Sequence, residues 1–175
     1  MAYLVVAYPN LSQKDFDWIQ EYRRKNDERF FSVVEPHITL VFSVHDMERE
    51  AFIQEIRKQV SEVKSMDFEM KVATVNQDDS GEYYHEFLVP DRGYSDMVKL
   101  HDRLYSGALK GYLRLDIDFI PHIGIGNNND AAVSKKRVDT LNARNFEIKG
   151  AVKMLDILEY SGGTVKTIER IELSS

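Results

Sequence analysis

The sequence predicts a mixed α+β fold built from two similar lobes. Three observations carry that expectation. Stretches with strand-like alternation are interleaved with stretches of helical periodicity along the chain. The order of these stretches in the first half recurs in the second. No Pro/Gly/Ser-rich linker or low-complexity tract interrupts them. At 175 residues the chain has the length of one domain, residues 1–175, with a first repeat over about 1–80, a second over about 81–160 and a terminal strand over 164–173.

The elements follow in order. Residues 3–8 are β-rich and stop at Pro9. Ser12 with Asp15 three positions later resembles a capping box, and Phe16, Ile19 and Tyr22 recur at helical spacing until the polar run Arg23-Arg24-Lys25-Asn26-Asp27. Phe31–Phe42 reads as a strand around Pro36. Asp46–Lys64 reads as a helix, with Ile53, Ile56, Val60 and Val63 on one face. Asp67–Val75 alternates as a strand, and Asn76–Gly81 is a loop. Tyr84–Val89 is a strand ending at Pro90, after which Ser95 caps a helix carrying Met97, Leu100, Leu104 and Ala108. Phe119–Gly126 is a strand, Asn127–Asn129 a loop and Asp130–Asn142 a helix with Val138 and Leu141 inside. Phe146–Tyr160 and Thr164–Leu173 are strands joined through Gly162-Gly163, a hairpin signal.

The resulting order is β-α-β-α-β, the same again, and a last strand. Tyr3–Pro9 matches Tyr84–Pro90, Pro36-His37-Ile38 matches Pro121-His122-Ile123, and Asp67–Lys71 matches Asn145–Lys149, each in the same sequence of strands and helices. An internal duplication explains these ordered matches, and two such βαβαβ-type repeats pack about an approximate two-fold axis.

Composition narrows the function. Hydrophobic residues make up 43% and charged residues 30% of the chain, a globular balance. Cysteine is absent, which removes disulfides, thiolate zinc sites, a thiol nucleophile and iron–sulfur clusters, and is compatible with a reducing compartment. A net charge of −6 makes the chain a poor coat for duplex DNA, whose affinity comes from neutralised phosphates, but allows a small phosphorylated ligand in a local pocket. The apolar start lacks a basic flank and stops at Pro9-Asn10, and no apolar run approaches the roughly 20 residues that span a bilayer. A soluble, cytoplasmic, monomeric protein without membrane contact is expected, with no secretory context for the Asn10-Leu11-Ser12 sequon.

Alternate strand residues share a face. In the first motif strand, Ile38, Leu40 and Phe42 form the core face, and His37, Thr39 and Val41 point the other way. In the second, Ile123 and Ile125 are core, and His122, Gly124 and Gly126 point away. Each lobe therefore presents one histidine, and a two-fold axis places the two imidazoles on opposite sides of one cleft. Displacement at phosphorus needs a base on the attacking side and an acid on the leaving side, and imidazole does either near neutral pH. Thr39 shares the face of His37 and can donate to a phosphate oxygen.

Pro-His-Ile-Thr-Leu and Pro-His-Ile-Gly-Ile, so spaced, resemble the paired His-x-Thr/Ser motifs of the 2H phosphoesterase superfamily, which includes the 2′-5′ RNA ligase-like and cyclic phosphodiesterase proteins. The resemblance covers nearly the whole chain. It implies a bilobal α+β fold with two sheets facing across a central cleft. It also implies hydrolysis, without metal or cofactor, of 2′,3′-cyclic phosphates or 2′-5′ phosphodiesters on RNA ends or small nucleotides. By position it implies His37 and His122 as catalytic acid and base and Thr39 as a phosphate donor. Gly124 departs from the pattern, because the family has Thr or Ser there; amides around Gly124 and Gly126, or a water, are the available substitutes. The alternative is a non-catalytic module that binds a nucleotide or RNA end in the same cleft.

Other residues carry weaker signals. His85, in the strand equivalent to Tyr3–Tyr8, is a candidate for lining the cleft and touching substrate. His45 is expected solvated and His101 beside the core. Packing is the expected role for each of Tyr8, Tyr83, Tyr84 and Trp18, although together they could stack a base. Arg23, Arg24, Lys25 and Arg29, and likewise Lys135-Lys136-Arg137, could meet an RNA backbone but read as solvated helix ends. Gly124-x-Gly126 lacks the third glycine of a dinucleotide fingerprint, and Asp116-x-Asp118 reads as strand-edge alternation.

Overall fold

The apolar alternation resolves into two antiparallel sheets. The computed structural model describes residues 1–175. Its elements are β1 (Ala2–Ala7), β2 (Asn10–Leu11), α1 (Gln13–Asn26), β3 (Ile38–Val44), α2 (Arg49–Val60), β4 (Met66–Gln77), β5 (Tyr84–Arg92), α3 (Tyr94–Leu104), a 3-10 helix (Ala108–Tyr112), β6 (Ile123–Asn128), α4 (Ala131–Asn142), β7 (Ile148–Val152), β8 (Met154–Ser161) and β9 (Thr164–Glu172). One sheet has the order β3-β1-β8-β9 and the other β2-β7-β4-β5-β6. Helices α1 and α4 pack on one face of the second sheet, and α3 bridges β3 and β5. The buried residues of both sheets and of the helices join in one cluster of 30 side chains. No helix is long and apolar enough to cross a membrane.

The duplication is visible in the pairing register. Ala7 lies opposite Ile38, Val6 opposite Thr39 and Val5 opposite Val41; correspondingly, Leu88 lies opposite Ile123, Phe87 opposite Gly124 and Glu86 opposite Gly126. Both motif strands thus carry one extra residue, Leu40 or Ile125, three positions after the histidine. Such a bulge turns the strand over. Val41 is therefore buried with Leu40, and Phe42 is displaced from the core face. Gly126 likewise turns away from the face of His122; a Cβ on it would lie 2.6 Å from the Glu86 carboxylate and 3.3 Å from Asn26 of α1. Strict alternation misassigns Val41, Phe42 and Gly126 for this reason.

The repeats exchange a strand. β4, from the first half, pairs with β5, and β8, from the second, pairs with β1. Thr74 opposite Phe87 is the counterpart of Asp156 opposite Val6. The match of Asp67–Lys71 with Asn145–Lys149 therefore does not mark equivalent places: these segments are sheet neighbours, with Glu69 opposite Lys149 and Met70 opposite Ile148.

Other boundaries shift for identifiable reasons. Phe31–Phe42 is a strand only from Ile38, because Arg23 draws the preceding loop around itself through the carbonyls of Phe30 and Val34 at 3.2 and 2.8 Å. Arg23 is thus 1% exposed rather than a solvated helix end. The second motif strand starts at Ile123 and takes in Asn127, whose polar neighbours suggest a loop. Phe146–Tyr160 divides at Lys153, where the chain leaves one sheet for the other and the Lys153 carbonyl accepts from the Leu173 N–H at 2.9 Å. The short strand β2, which pairs Asn10 with Ala151, has no signal in the sequence. Asp116 and Asp118 lie in irregular chain, where Arg114 holds Asp116 at 2.6 Å. Ser12 does cap α1, accepting from the Asp15 N–H at 3.1 Å. Gly93 rather than Ser95 precedes α3: its φ of 88° suits glycine, and a Cβ there would meet the Asp67 carbonyl at 2.8 Å.

The free edge of β3 is covered by the side chains of His101 in α3 and of Tyr105, the residue that ends it. The His101 Nδ1–H donates to the Leu40 carbonyl at 2.8 Å, and the Phe42 N–H donates to the Tyr105 hydroxyl at 3.0 Å. These contacts satisfy edge groups that would otherwise invite another strand. His101 also stacks on Phe119, centroids 3.6 Å apart, so one buried side chain ties β3 to the segment leading to His122.

Candidate active site

Each motif strand is entered through a buried proline followed by a half-buried imidazole. The His37 Nδ1–H donates to the Glu35 carbonyl at 2.7 Å and the His122 Nδ1–H to the Ile120 carbonyl at 2.6 Å, in both cases two residues back across the proline. A carbonyl only accepts, so the neutral ring carries its proton on Nδ1 and offers the Nε2 lone pair. Neither Nε2 has a protein hydrogen-bond partner.

The structure brings His37, His85 and His122 together closely enough that charge on either of the first two acts on the third. Burial is the main cause of a His122 pKa pushed down to about 4; positive charge on His37 and His85 adds to it, and the Ile120 carbonyl opposes it. Burial likewise lowers His37, with Arg23 adding and the Glu35 carbonyl and Asp27 opposing. The site therefore holds neutral imidazoles at pH 7. Unfolded histidine titrates near 6.5. The stability due to this depression is complete above pH 6.5 and is lost as pH falls toward 4, by up to about 3 kcal/mol for His122. Denaturant unfolding at pH 7.5 and pH 4.5 is expected to show that loss in the native chain and a reduced one in His122→Gln; equal losses would contradict the depressed pKa.

Directly opposed residues of paired strands share a face. On the first sheet the row through Thr39 runs to Val6, Asp156 and Arg170. On the second the equivalent row runs through Gly124, Phe87 and Thr74. Asp156 is 2% exposed and accepts from Arg170 Nε at 2.8 Å. Burial first, then Asp156, raises the Tyr8 pKa; its ring sits edge-on to His37 with centroids 6.3 Å apart. In the other lobe Phe30, His85, Phe87 and His122 form one row of stacked rings, with centroids 6.0, 5.8 and 3.5 Å apart in turn.

His85 thus lies in the imidazole site, as its strand position suggests. Tyr83 does not join the row: the Arg29 guanidinium covers its ring at 4.3 Å and also meets Asp78 at 3.2 Å. Trp18 packs on Phe146 and Tyr22 on the helix side of the second sheet. His45 is exposed and His101 is buried, as described. Arg137 is half-buried against Glu86 at 3.2 Å rather than solvated.

Sequence reading misses Phe30, Phe87, Asp156 and Arg170. Asp156 has a signal, a lone acid inside the apolar run Leu155-Asp156-Ile157-Leu158. Behind the site, Asp27 accepts from Arg23 Nε at 3.0 Å, from Asn127 Nδ2 at 2.6 Å and from the Phe30 N–H at 3.0 Å. This buried network holds the loop that carries Phe30 and leads to His37. No group of three or more His, Asp or Glu side chains is arranged to hold a metal ion.

Gly124 has open space where a side chain would project: a Cβ meets nothing within 4 Å, and φ is not positive. Gly124→Ser is therefore expected to fold with an unchanged melting temperature. It places a hydroxyl on the face of His122, as Thr39 does beside His37. Phosphate affinity or turnover is expected to rise, by no more than about 3 kcal/mol, the upper worth of one charge-assisted hydrogen bond. A stable variant with weaker binding and slower turnover would show instead that the empty space accommodates ligand.

Known proteins share this architecture. The family model described as the 2′-5′ RNA ligase superfamily matches residues 10–164. No curated protein matches the chain in sequence. Similar solved structures include TT0787 of Thermus thermophilus, with TM-score 0.61 at 14% identity, covering 99% of this chain and 98% of that one. Apo LigT of E. coli gives 0.58 at 17% identity, covering 99% and 98%. Usb1 of Kluyveromyces marxianus gives 0.56 at 12% identity, covering 95% and 97%. At these identities the likeness is one of fold.

Proposed function

Since the chain belongs to the 2′-5′ RNA ligase superfamily, we propose that it is a phosphoesterase that hydrolyses 2′,3′-cyclic phosphates or 2′-5′ phosphodiesters on nucleotides or RNA ends, with His37 and His122 as its acid and base. The observation that carries this reading is the symmetric fixing of the two imidazoles. Each is held in one tautomer by the carbonyl two residues earlier, and each keeps Nε2 unpaired. One imidazole takes a proton from water as the water oxygen bonds to phosphorus. The other gives a proton to the ribose oxygen as its bond to phosphorus breaks, leaving a phosphate monoester and a free hydroxyl. Reversing the reaction exchanges the two roles. A bound phosphate anion favours an imidazolium beside it, which supplies the protonated partner that the neutral site lacks. Thr39 donates to a phosphate oxygen from one lobe, and backbone amides near Gly124 do so from the other. The row Phe30, His85 and Phe87 offers ring faces to a base. LigT bound to 3′-AMP and Usb1 bound to uridine monophosphate are among the similar structures, which supports a nucleotide-sized ligand here.

Gly124 favours a second reading, a module that binds the same ends without turnover. Incubation of the chain with a 2′,3′-cyclic mononucleotide and with a 2′-5′-linked dinucleotide, in chelator, separates the two. Conversion to a monoester supports the enzyme. Saturable binding with no conversion supports the binding module. Neither conversion nor binding overturns both.

A further inference from the structure

Helices α1 and α4 leave a cavity of about 260 Å³ between them. It lies on the helix side of the second sheet, away from the imidazoles. Strand alternation makes the separation: in β5, His85 and Phe87 belong to the imidazole row, whereas Glu86 between them turns toward the helices. Glu86 is fully buried, and its carboxylate accepts from the Tyr22 hydroxyl at 2.8 Å and from Arg137 Nη1 at 3.2 Å. That acid is thereby neutralised in place, and it anchors Tyr22 and Arg137 in the cavity wall.

Beside Asn26, Thr140 and Leu141, the rest of the lining is cationic and aromatic. Lys136 and Arg144 are exposed, and neither is paired with an acid, although the chain carries a net charge of −6. Trp18 and Tyr22 form the aromatic wall, their ring centroids 5.9 Å apart and tilted by 32°. The Thr140 hydroxyl is engaged with the Lys136 carbonyl at 2.8 Å, and Asn26 Nδ2 donates to the Tyr22 carbonyl at 2.9 Å, which leaves the two cations as the free charged groups. Aromatic faces hold planar rings, and Lys and Arg side by side hold phosphate oxygens. Three cations against one paired acid, beside two rings, in a concavity of this size, are complementary to a ring-bearing phosphate.

We propose that this cavity is a second ligand site that takes one nucleotide unit, with its base against Trp18 and Tyr22 and its phosphate between Lys136 and Arg144. The unit is either a free mononucleotide or part of a single RNA strand. The site shares no residue with the proposed hydrolytic centre, so either can fail without the other.

Trp18 is the only tryptophan of the chain, so its fluorescence reports on this cavity. The native chain, and the full chain carrying His37→Ala with His122→Ala, are titrated with AMP, with inorganic phosphate and with a short single-stranded oligoribonucleotide. A saturable change in Trp18 emission is expected in both proteins with AMP or the oligonucleotide, and the tighter of the two identifies the source of the unit. Lys136→Glu combined with Arg144→Glu is expected to weaken the response by roughly tenfold or more with no change in melting temperature, since both side chains are exposed. Lys136→Ala with Arg144→Ala provides the milder variant. The proposal is overturned by the absence of a saturable response. It is equally overturned by a response that charge reversal leaves intact, by one lost with the two histidines, or by inorganic phosphate binding as tightly as AMP.

Discussion

Replacing His122 or His37 with alanine is expected to lower turnover of a 2′,3′-cyclic nucleotide by about 10²–10⁴-fold, the usual worth of a positioned acid or base. The two losses are not expected to add, because the imidazoles act as a unit and removal of one leaves the other with little to do. The double variant should therefore be about as slow as the slower single one. In the native chain the rate should follow a bell-shaped pH profile whose limbs belong to the coupled pair rather than to either ring. Each single variant should lose one limb. His122→Gln is a useful companion, because it keeps a planar group against Phe87, on which His122 stacks at 3.5 Å. Steady-state rates with the melting temperature as folding control check this. Turnover within threefold of the native rate in either alanine variant would end the paired-imidazole mechanism.

The largest effect on stability is expected at Arg23. Its guanidinium is buried with the Asp27 carboxylate, 2.9 Å apart, and satisfies two loop carbonyls. Arg23→Leu would strand a buried carboxylate and both carbonyls. Breaking one side of such a pair costs about 3–5 kcal/mol, which for a chain of this length corresponds to a fall in melting temperature of roughly 6–20 °C. Arg23→Leu with Asp27→Leu removes both charges and should recover part of the loss. Because Arg23 holds the Phe30 and Val34 carbonyls and Asp27 holds the Phe30 N–H and Asn127, neither variant should keep the native ligand affinity. Denaturant unfolding and thermal melts measure the first claim and nucleotide titration the second. A melting temperature unchanged in Arg23→Leu would show that the loop does not depend on the buried pair.

The parts of this arrangement that are legible in the sequence are those encoded locally. A proline, an imidazole and alternating apolar residues follow one another along a few positions, and the same string occurs twice. The paired histidines, the equivalence of β1 with β5 and the exposed place of Gly124 are readable on that basis. What is hidden depends on partners distant in the chain. The bulges at Leu40 and Ile125 arise from pairing with β1 and β5; Gly124 and Gly126 flank the second, and nothing local announces the first. The exchange of β4 and β8 is invisible because a strand looks the same beside either neighbour. Arg23 sits in a cationic run that resembles an ordinary helix end, and only the loop that wraps it reveals its burial. Phe30 and Phe87 gain meaning only when the sheets align their rings with His85.

The exchanged strands also bear on how the molecule is made. β1 pairs Val6 with Asp156, some 150 positions later. A chain growing from its N-terminus at about 5–20 residues per second exposes β1 for roughly 8–30 s before that partner exists. During that interval β1 has only β3 for company, on one side, and its other edge is an apolar template. Contacts of such long range also slow folding once synthesis is complete. In the second sheet β4, β5 and β6 pair with near neighbours in the chain, whereas β7 and β2, with Asn10 opposite Ala151, come together only at about the point where β8 does. His122 lies on that locally paired part and His37 on the first sheet, so the two halves of the site belong to parts of the fold that close over different ranges of sequence.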